Sequence, residues 1–89
     1  MNYYHGKINT PFERYIDIYI EGTDYQYAEW RAWDEAKSYG RMVFGIYFTA
    51  ERGADYDEQE FIDGCEGWIV DQITYEEYRA AMMRGELCV

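Results

Sequence analysis

The ten residues 12–21, FERYIDIYIE, alternate between apolar and polar side chains. Ile16, Ile18 and Ile20 point to one face of the predicted strand, and the Tyr, Asp and Glu side chains between them point to the other. Alternation of this kind, with β-branched residues on one face, is typical of a strand that buries that face. We therefore predict a half-buried strand over residues 12–21, ending at Gly22.

The residues that follow predict a helix packed against this strand. Thr23 and Gln26 match the spacing of a capping box, and Gly40 is placed to end the helix. One face of the predicted helix carries small and aromatic side chains: Tyr25, Ala28, Ala32, Ala36 and Tyr39. Because that face is rich in alanine, we expect the helix to lie close to the sheet.

Two more strands and a second helix are expected after the first helix. Residues 41–50 hold Met, Phe and Ile at alternating positions and predict a strand, in which Gly45 marks a bulge or a close contact. Residues 68–70, Trp-Ile-Val, predict a short third strand. Thr74 and Glu77 form a capping box at the start of the last helix. Gly85 ends that helix, and the last three residues are expected to dock as a tail.

These elements predict a small two-layer α+β domain over residues 1–89, in the order β-α-β-β-α. The sheet is expected to have three mostly antiparallel strands, with two helices packed on one face. A parallel βαβ unit remains an alternative for the first two strands, and the strand order stays open. The predicted core consists of Ile16, Ile18, Ile20, Phe44, Ile46, Trp68 and Ile69.

Composition and charge exclude several classes of protein. With 48% hydrophobic and 20% aromatic residues, the chain is too apolar to be disordered. No apolar run approaches the roughly 18–20 residues that span a bilayer, and the N-terminus lacks a signal-peptide pattern, so we expect a cytoplasmic protein. The net charge of −10 disfavours direct contact with nucleic acid or an anionic membrane. The natural partner of such a chain is a basic protein surface.

Neither a metal site nor catalysis is indicated by the motifs. Residues 55–66 match several positions of a calcium loop, but Glu60 stands at the sixth position, where the loop needs Gly. His5 with Cys65 and Cys88 gives at most three of the four ligands of a structural zinc site, and no spacing links His5 to either thiol. We expect no enzyme activity, no cofactor and a surface position for His5 near a loose terminus.

Acidic and aromatic residues occur together in three places and are our candidate partner-binding residues. Tyr and Trp are enriched at binding hot spots, and neighbouring carboxylates attract a basic partner. The candidates are Tyr15 and Tyr19 on the first strand, Tyr27, Trp30 and Asp34 on the first helix, and Asp55, Tyr56, Asp57, Glu58, Glu60 and Asp63 in the acidic segment.

In size, charge and aromatic content the chain resembles small acidic proteins of phages and mobile elements that inhibit restriction and CRISPR systems. The resemblance is one of composition, covers no motif and implies no fold and no residue role. It implies a non-enzymatic protein that imitates the charge of nucleic acid and occludes a basic, nucleic-acid-binding site. Two alternatives stay open: a nucleotide or metabolite binder, and a host interaction module or subunit. A concave aromatic pocket with two or more Arg at its rim would favour the nucleotide binder.

Overall fold

The computed structural model describes residues 1–11, 15–47 and 57–89, which form a four-stranded sheet and three helices. The elements are β1 (Asn2–Asn9), β2 (Ile16–Gly22), α1 (Tyr25–Tyr47), α2 (Glu58–Asp63), β3 (Glu66–Ile73), α3 (Tyr75–Met83) and β4 (Leu87–Cys88). The strand order is β3-β1-β2-β4, with β1 antiparallel to β2 and β3, and β4 parallel to β2. The α+β class is confirmed, but β1, β4 and α2 are additional to the prediction, and residues 41–47 belong to α1 rather than to a strand. The prediction that both helices pack on one face is wrong, because α1 covers the Ile18 side of the sheet and α3 packs on Tyr3 on the other side.

The central strand β1 occupies the segment that the sequence analysis expects to be a loose terminus. Tyr4, Gly6 and Ile8 alternate as buried positions, as expected of a strand with one buried face. The middle position is Gly because a Cβ on Gly6 would lie 2.5 Å from the carbonyl oxygen of Trp68 on β3. A glycine at a buried position weakens the alternating pattern, and the strand was therefore missed.

Strand β2 confirms the alternating segment. Ile18 and Ile20 are fully buried, and Ile16 is partly buried against the same core. The strand continues to Gly22. The predicted start of the strand, at residues 12–14, lies outside the described residues.

Helix α1 begins one residue later than predicted and is much longer. The carboxylate of Asp24 accepts a hydrogen bond from the Tyr27 backbone N–H at 2.8 Å, so Asp24 and not Thr23 caps the helix. The helix passes through Gly40 to Tyr47, so the strand predicted over residues 41–50 is wrong for 41–47; residues 48–50 lie outside the described residues.

Gly40 serves close packing rather than the end of a helix. A Cβ at this position would collide with Sγ of Cys65, which is fully buried beneath α1. The second half of the helix keeps the 3.6-residue period, with Val43 buried and Ile46 60% exposed. The prediction that Ile46 belongs to the core is therefore wrong.

The core lies between α1 and the sheet. Ala28, Ala32 and Ala36 are fully buried, and the Ala32 carbonyl reaches β3 at Gly67, where a Cβ would collide with it. Of the other predicted core residues, Ile69 is buried, whereas Phe44 and Trp68 are only partly buried. The small-residue face thus brings the helix as close to the sheet as predicted.

Residues 58–63, in the acidic segment, form helix α2, which is absent from the predicted order of elements. Asp57 caps this helix, because its carboxylate accepts a hydrogen bond from the Gln59 backbone N–H at 3.0 Å. Phe61 and Ile62 are buried and anchor α2 to the core side of the molecule, as expected from their apolar character.

Helix α3 and the tail confirm their sequence signals. Thr74 and Glu77 form the predicted capping box. Gly85 has a φ of 79° and follows the helix, and Glu86 N–H bonds back to the Ala81 carbonyl at 3.1 Å. Val89 then bonds to the edge of β2, with its N–H 2.8 Å from the Tyr19 carbonyl oxygen.

Candidate functional site

Helix α1 presents a row of aromatic side chains on the side that faces away from the core. Tyr27, Trp30 and Trp33 are 42%, 56% and 49% exposed. Because they are spaced by three residues, they lie near one another along one side of the helix. The rings of Tyr27 and Trp30 have centroids 6.1 Å apart. Trp33 is not among the predicted binding residues, although its spacing of three from Trp30 is a signal that identifies it.

Lys37 joins the aromatic row to α2. Its Nζ lies 4.0 Å from the centroid of the Trp33 ring. The same ammonium donates hydrogen bonds to the carbonyl oxygens of Ile62 at 3.0 Å, Asp63 at 3.3 Å and Cys65 at 2.8 Å. These carbonyls lie at the C-terminal end of α2, where a cation is favourable. The contacts fix the acidic helix beside Trp33.

The segment from Asp57 to Glu66 is the acidic half of this region. It holds five carboxylates and no Lys or Arg, and all five carboxylate residues are exposed: Asp57, Glu58, Glu60, Asp63 and Glu66. Within the described ranges, none of the five forms an ion pair with a cation. Lys37, whose ammonium contacts the end of α2, is bound to backbone carbonyls instead.

We call this region the acidic–aromatic surface and define it by residues of α1 and α2. Its members are Tyr27, Trp30, Trp33 and Asp34 on α1 and Asp57, Glu58, Glu60 and Asp63 on and before α2. Seven of the predicted binding residues belong to this set, and the contacts of Lys37 join its two halves at Trp33. Asp55 and Tyr56 lie outside the described residues.

Tyr15 and Tyr19 are on the opposite side of the sheet. Ile18 and Ile20 of β2 face α1, so the residues between them face away from it. Tyr19 stacks on His5 of β1 with ring centroids 5.0 Å apart, and Tyr15 meets Trp68 of β3 edge-on at 5.3 Å. We call this side the outer face: Tyr3, His5, Lys7, Tyr15, Asp17, Tyr19, Trp68 and Asp71.

His5 joins the three long strands across the outer face. Its Nε2 lies 2.7 Å from Oδ1 of Asp17 on β2, and its Nδ1 lies 3.5 Å from Oδ1 of Asp71 on β3. The hydrogen bond from His5, helped by Lys7 at 3.4 Å, holds the pKa of Asp17 below its usual value. The expected place of His5 at a loose terminus is wrong, because the residue lies in the central strand. With its two nitrogens facing carboxylates of β2 and β3, the ring links the central strand to both of its neighbours.

A cleft of about 230 Å³ opens between the outer face and α3. It is lined by His5, Tyr19, Asp71, Ile73, Glu77 and Arg84. The volume falls below the roughly 300–1,000 Å³ of sites for drug-sized ligands. Arg84 is the one arginine among the described lining residues, where a nucleotide pocket was expected to need at least two.

The cysteines show no feature of a reactive pair. Cys65 is buried, Cys88 is partly buried, and both are free thiols. Burial raises the pKa of each thiol, which keeps both in the weakly nucleophilic protonated form.

Residues 1–11, 15–47 and 57–89 contain no group of three His, Cys, Asp or Glu side chains placed to hold a metal ion. No helix in these ranges is both long and apolar enough to cross a bilayer. The structure thus defines a small α+β domain with a mixed four-stranded sheet. Comparison with known proteins finds no matching family model, no similar curated protein and no similar solved structure.

Proposed function

We propose that this chain is a small, non-enzymatic binding protein whose acidic–aromatic surface occludes a basic site on a partner protein. The observation that carries the proposal is the run of exposed carboxylates over residues 57–66, placed beside the exposed rings of α1. A charged surface that serves only solubility does not require exposed aromatic side chains, and an ordinary aromatic patch does not require this many carboxylates. Their combination is what a contact with a basic surface requires.

The basic site that fits best is one that holds nucleic acid. Such sites use Lys and Arg to neutralise phosphates, and carboxylates along a rigid helix present a similar array of negative charges. The occupant of the site would then be displaced without any chemical step. In this proposal the chain is an inhibitor of the kind that phages encode, and it acts in the host cytoplasm against a defence system such as CRISPR or restriction.

The two halves of the surface have different roles in the proposed contact. The carboxylates of α2 attract the partner over a distance and raise the association rate. Trp30 and Trp33 fill pockets at the centre and slow dissociation. Since Lys37 already holds the Trp33 ring at 4.0 Å, little side-chain freedom of Trp33 is lost on binding.

A host interaction module would use the same surface, and the identity of the partner separates the two roles. The experiment is affinity purification of the tagged chain from its native host, followed by mass spectrometry. We expect a nucleic-acid-binding protein that loses its nucleic acid when the chain is added. Recovery of a partner with no affinity for nucleic acid would contradict the proposed role and favour the interaction module.

The variants E58Q/E60Q and E21Q/E76Q provide a matched pair for this purification. Each removes two exposed carboxylates and leaves the same net charge, but only the first pair lies on α2. We expect E58Q/E60Q to capture less of the partner and E21Q/E76Q to capture as much as the unmodified chain. Equal capture by both variants would contradict a role for the acidic–aromatic surface.

A further inference from the structure

Among the described residues, α3 covers only one end of the outer face. α3 covers the end of the face at Tyr3, whose ring centroid lies 4.9 Å from that of Tyr78 and 5.4 Å from that of Tyr75. At the other end Tyr15 is 61% exposed beside Trp68. The described residues therefore form an open sheet surface with a helical wall at one end and the cleft at the foot of that wall.

The basic side chains at and beside the cleft have carboxylate neighbours. Nη2 of Arg84 lies 3.9 Å from Oε2 of Glu86, and His5 lies 2.7 Å from Asp17. Lys7 shares the carboxylate of Asp17 at 3.4 Å. Arg84 is the one arginine in the described lining, whereas Asp71 and Glu77 both line the cleft and Glu86 lies beside Arg84. Carboxylates therefore outnumber Lys and Arg at the cleft, which favours a cationic ligand over an anion.

Two carboxylates at the cleft keep oxygens that can accept further hydrogen bonds. The Asp71 side chain is 60% exposed, and its single contact with His5 is long, at 3.5 Å. Oε1 of Glu77 accepts from the N–H and hydroxyl of Thr74, which leaves Oε2 for another donor. Burial raises the pKa of Tyr19, and the hydrogen bond and charge of Glu86 raise it further, against a smaller opposing effect of the Arg84 charge.

The dimensions of the face match an extended peptide. Asp71 pairs with His5 and Trp68 pairs with Lys7, two residues further along β1. Two residues of strand span about 7 Å, which is also the spacing of alternate side chains on an extended peptide. A cleft of 230 Å³ holds the volume of about eight water molecules, enough for one arginine side chain against the Tyr19 ring.

We propose that the outer face is a second docking surface, which binds an extended basic segment of a partner protein and takes one arginine side chain into the cleft between Asp71 and Glu77. A neighbouring apolar residue, two positions away in that segment, packs on Trp68 and Tyr15. This surface lies on the opposite side of the sheet from the acidic–aromatic surface, so the proposal does not depend on the proposed function.

The test uses NMR of the isotopically labelled full chain with short capped peptides as probes. The probe is acetyl-Gly-Arg-Gly-Leu-Gly-amide, and the controls are the same peptide with Glu or Gly in place of Arg. We expect saturable shifts at Tyr19, Asp71 and the Trp68 indole with the Arg peptide only. Asp71→Asn should weaken this binding about fivefold, while Glu60→Gln on α2 should leave it unchanged.

A second variant protects the test against a change in fold. Glu77→Gln keeps a residue that completes the capping box with Thr74 and removes a charge from the cleft. It should also weaken binding of the Arg peptide about threefold to fivefold. Inorganic phosphate is added separately and should give no shifts at the cleft.

Three results would overturn the proposal. The first is that the Arg peptide shifts signals of α1 and α2 only. The second is that the Glu or Gly peptide binds the outer face with the same affinity as the Arg peptide. The third is that the signals of Trp68 and Tyr19 shift with protein concentration alone, which would show that the outer face is a contact between copies of the chain. None of these results bears on capture of a partner by the acidic–aromatic surface.

Discussion

The two glycines of α1, Gly40 and Gly45, should respond in opposite ways to replacement by alanine: one variant should be less stable than the unmodified chain and the other more stable. Alanine is favoured over glycine in a helix by about 1 kcal/mol. At Gly45 no atom of the described residues lies within 4 Å of the new Cβ, so Gly45→Ala should raise the free energy of unfolding by up to about 1 kcal/mol. At Gly40 the Cβ collides with Sγ of buried Cys65, and overpacking of this kind costs about 1–3 kcal/mol. We therefore expect Gly40→Ala to lower the free energy of unfolding by about 1 kcal/mol.

The assay is urea and thermal unfolding followed by circular dichroism. For a domain of this size, a difference of about 2 kcal/mol between the variants corresponds to roughly 8–16 °C in Tm. In a Cys65→Ala background the collision is removed, so Gly40→Ala should become stabilising, with a coupling energy of about 2 kcal/mol. The reasoning is refuted if Gly40→Ala stabilises the unmodified chain, or if its cost persists in the Cys65→Ala background. Persistence would indicate a helix end at Gly40, as the sequence pattern predicted.

Three further measurements test the contacts that hold the elements together. Lys37→Met should lower the free energy of unfolding by about 1–2 kcal/mol, because carbonyls at the end of α2 lose a charged donor. Arg41→Met, which removes the same charge from the same helix, should change the free energy of unfolding by less than about 0.5 kcal/mol. Equal effects of the two variants would contradict the hydrogen bonds of Lys37. Because the folded state lowers the pKa of Asp17, its contribution is fully present above the ordinary value of 3.8 and is lost as the pH falls through the lowered pKa. Asp17→Asn should therefore flatten the acid limb of the stability profile, and an unchanged limb would argue against the bond to His5. Gly85→Ala should cost about 1 kcal/mol in thermal unfolding, since φ is 79° there, and a neutral result would contradict the left-handed end of α3.

The parts of the fold that the sequence predicts are those with local signals. The alternating isoleucines identify β2, and the capping box of Thr74 with Glu77 identifies α3, because both patterns depend on neighbouring residues in the chain. Gly6 and Gly40 misled the prediction for the opposite reason. A side chain at Gly6 would collide with the Trp68 carbonyl, and a side chain at Gly40 would collide with the Cys65 thiol. Both partners are far away in sequence, so no local pattern reveals these contacts.

The same distinction applies to the candidate binding residues. Their chemistry and exposure follow from the sequence, and Trp30 and Tyr15 are indeed exposed. The sequence does not predict how these residues divide between the two sides of the sheet, because that division depends on α1 covering only one face. The role of Lys37 also escaped prediction, since its acceptors lie more than 20 residues away.

The central claim is that the carboxylates of α2 guide a basic partner to the chain. The most direct measurement is the association rate constant with the partner recovered from the host, for E58Q/E60Q and for the matched E21Q/E76Q, at several salt concentrations. We expect E58Q/E60Q to slow association roughly threefold to tenfold at low salt, with the difference shrinking as salt screens the charges, and E21Q/E76Q to have little effect. Association rates that are the same for both variants and do not change with salt would contradict the claim.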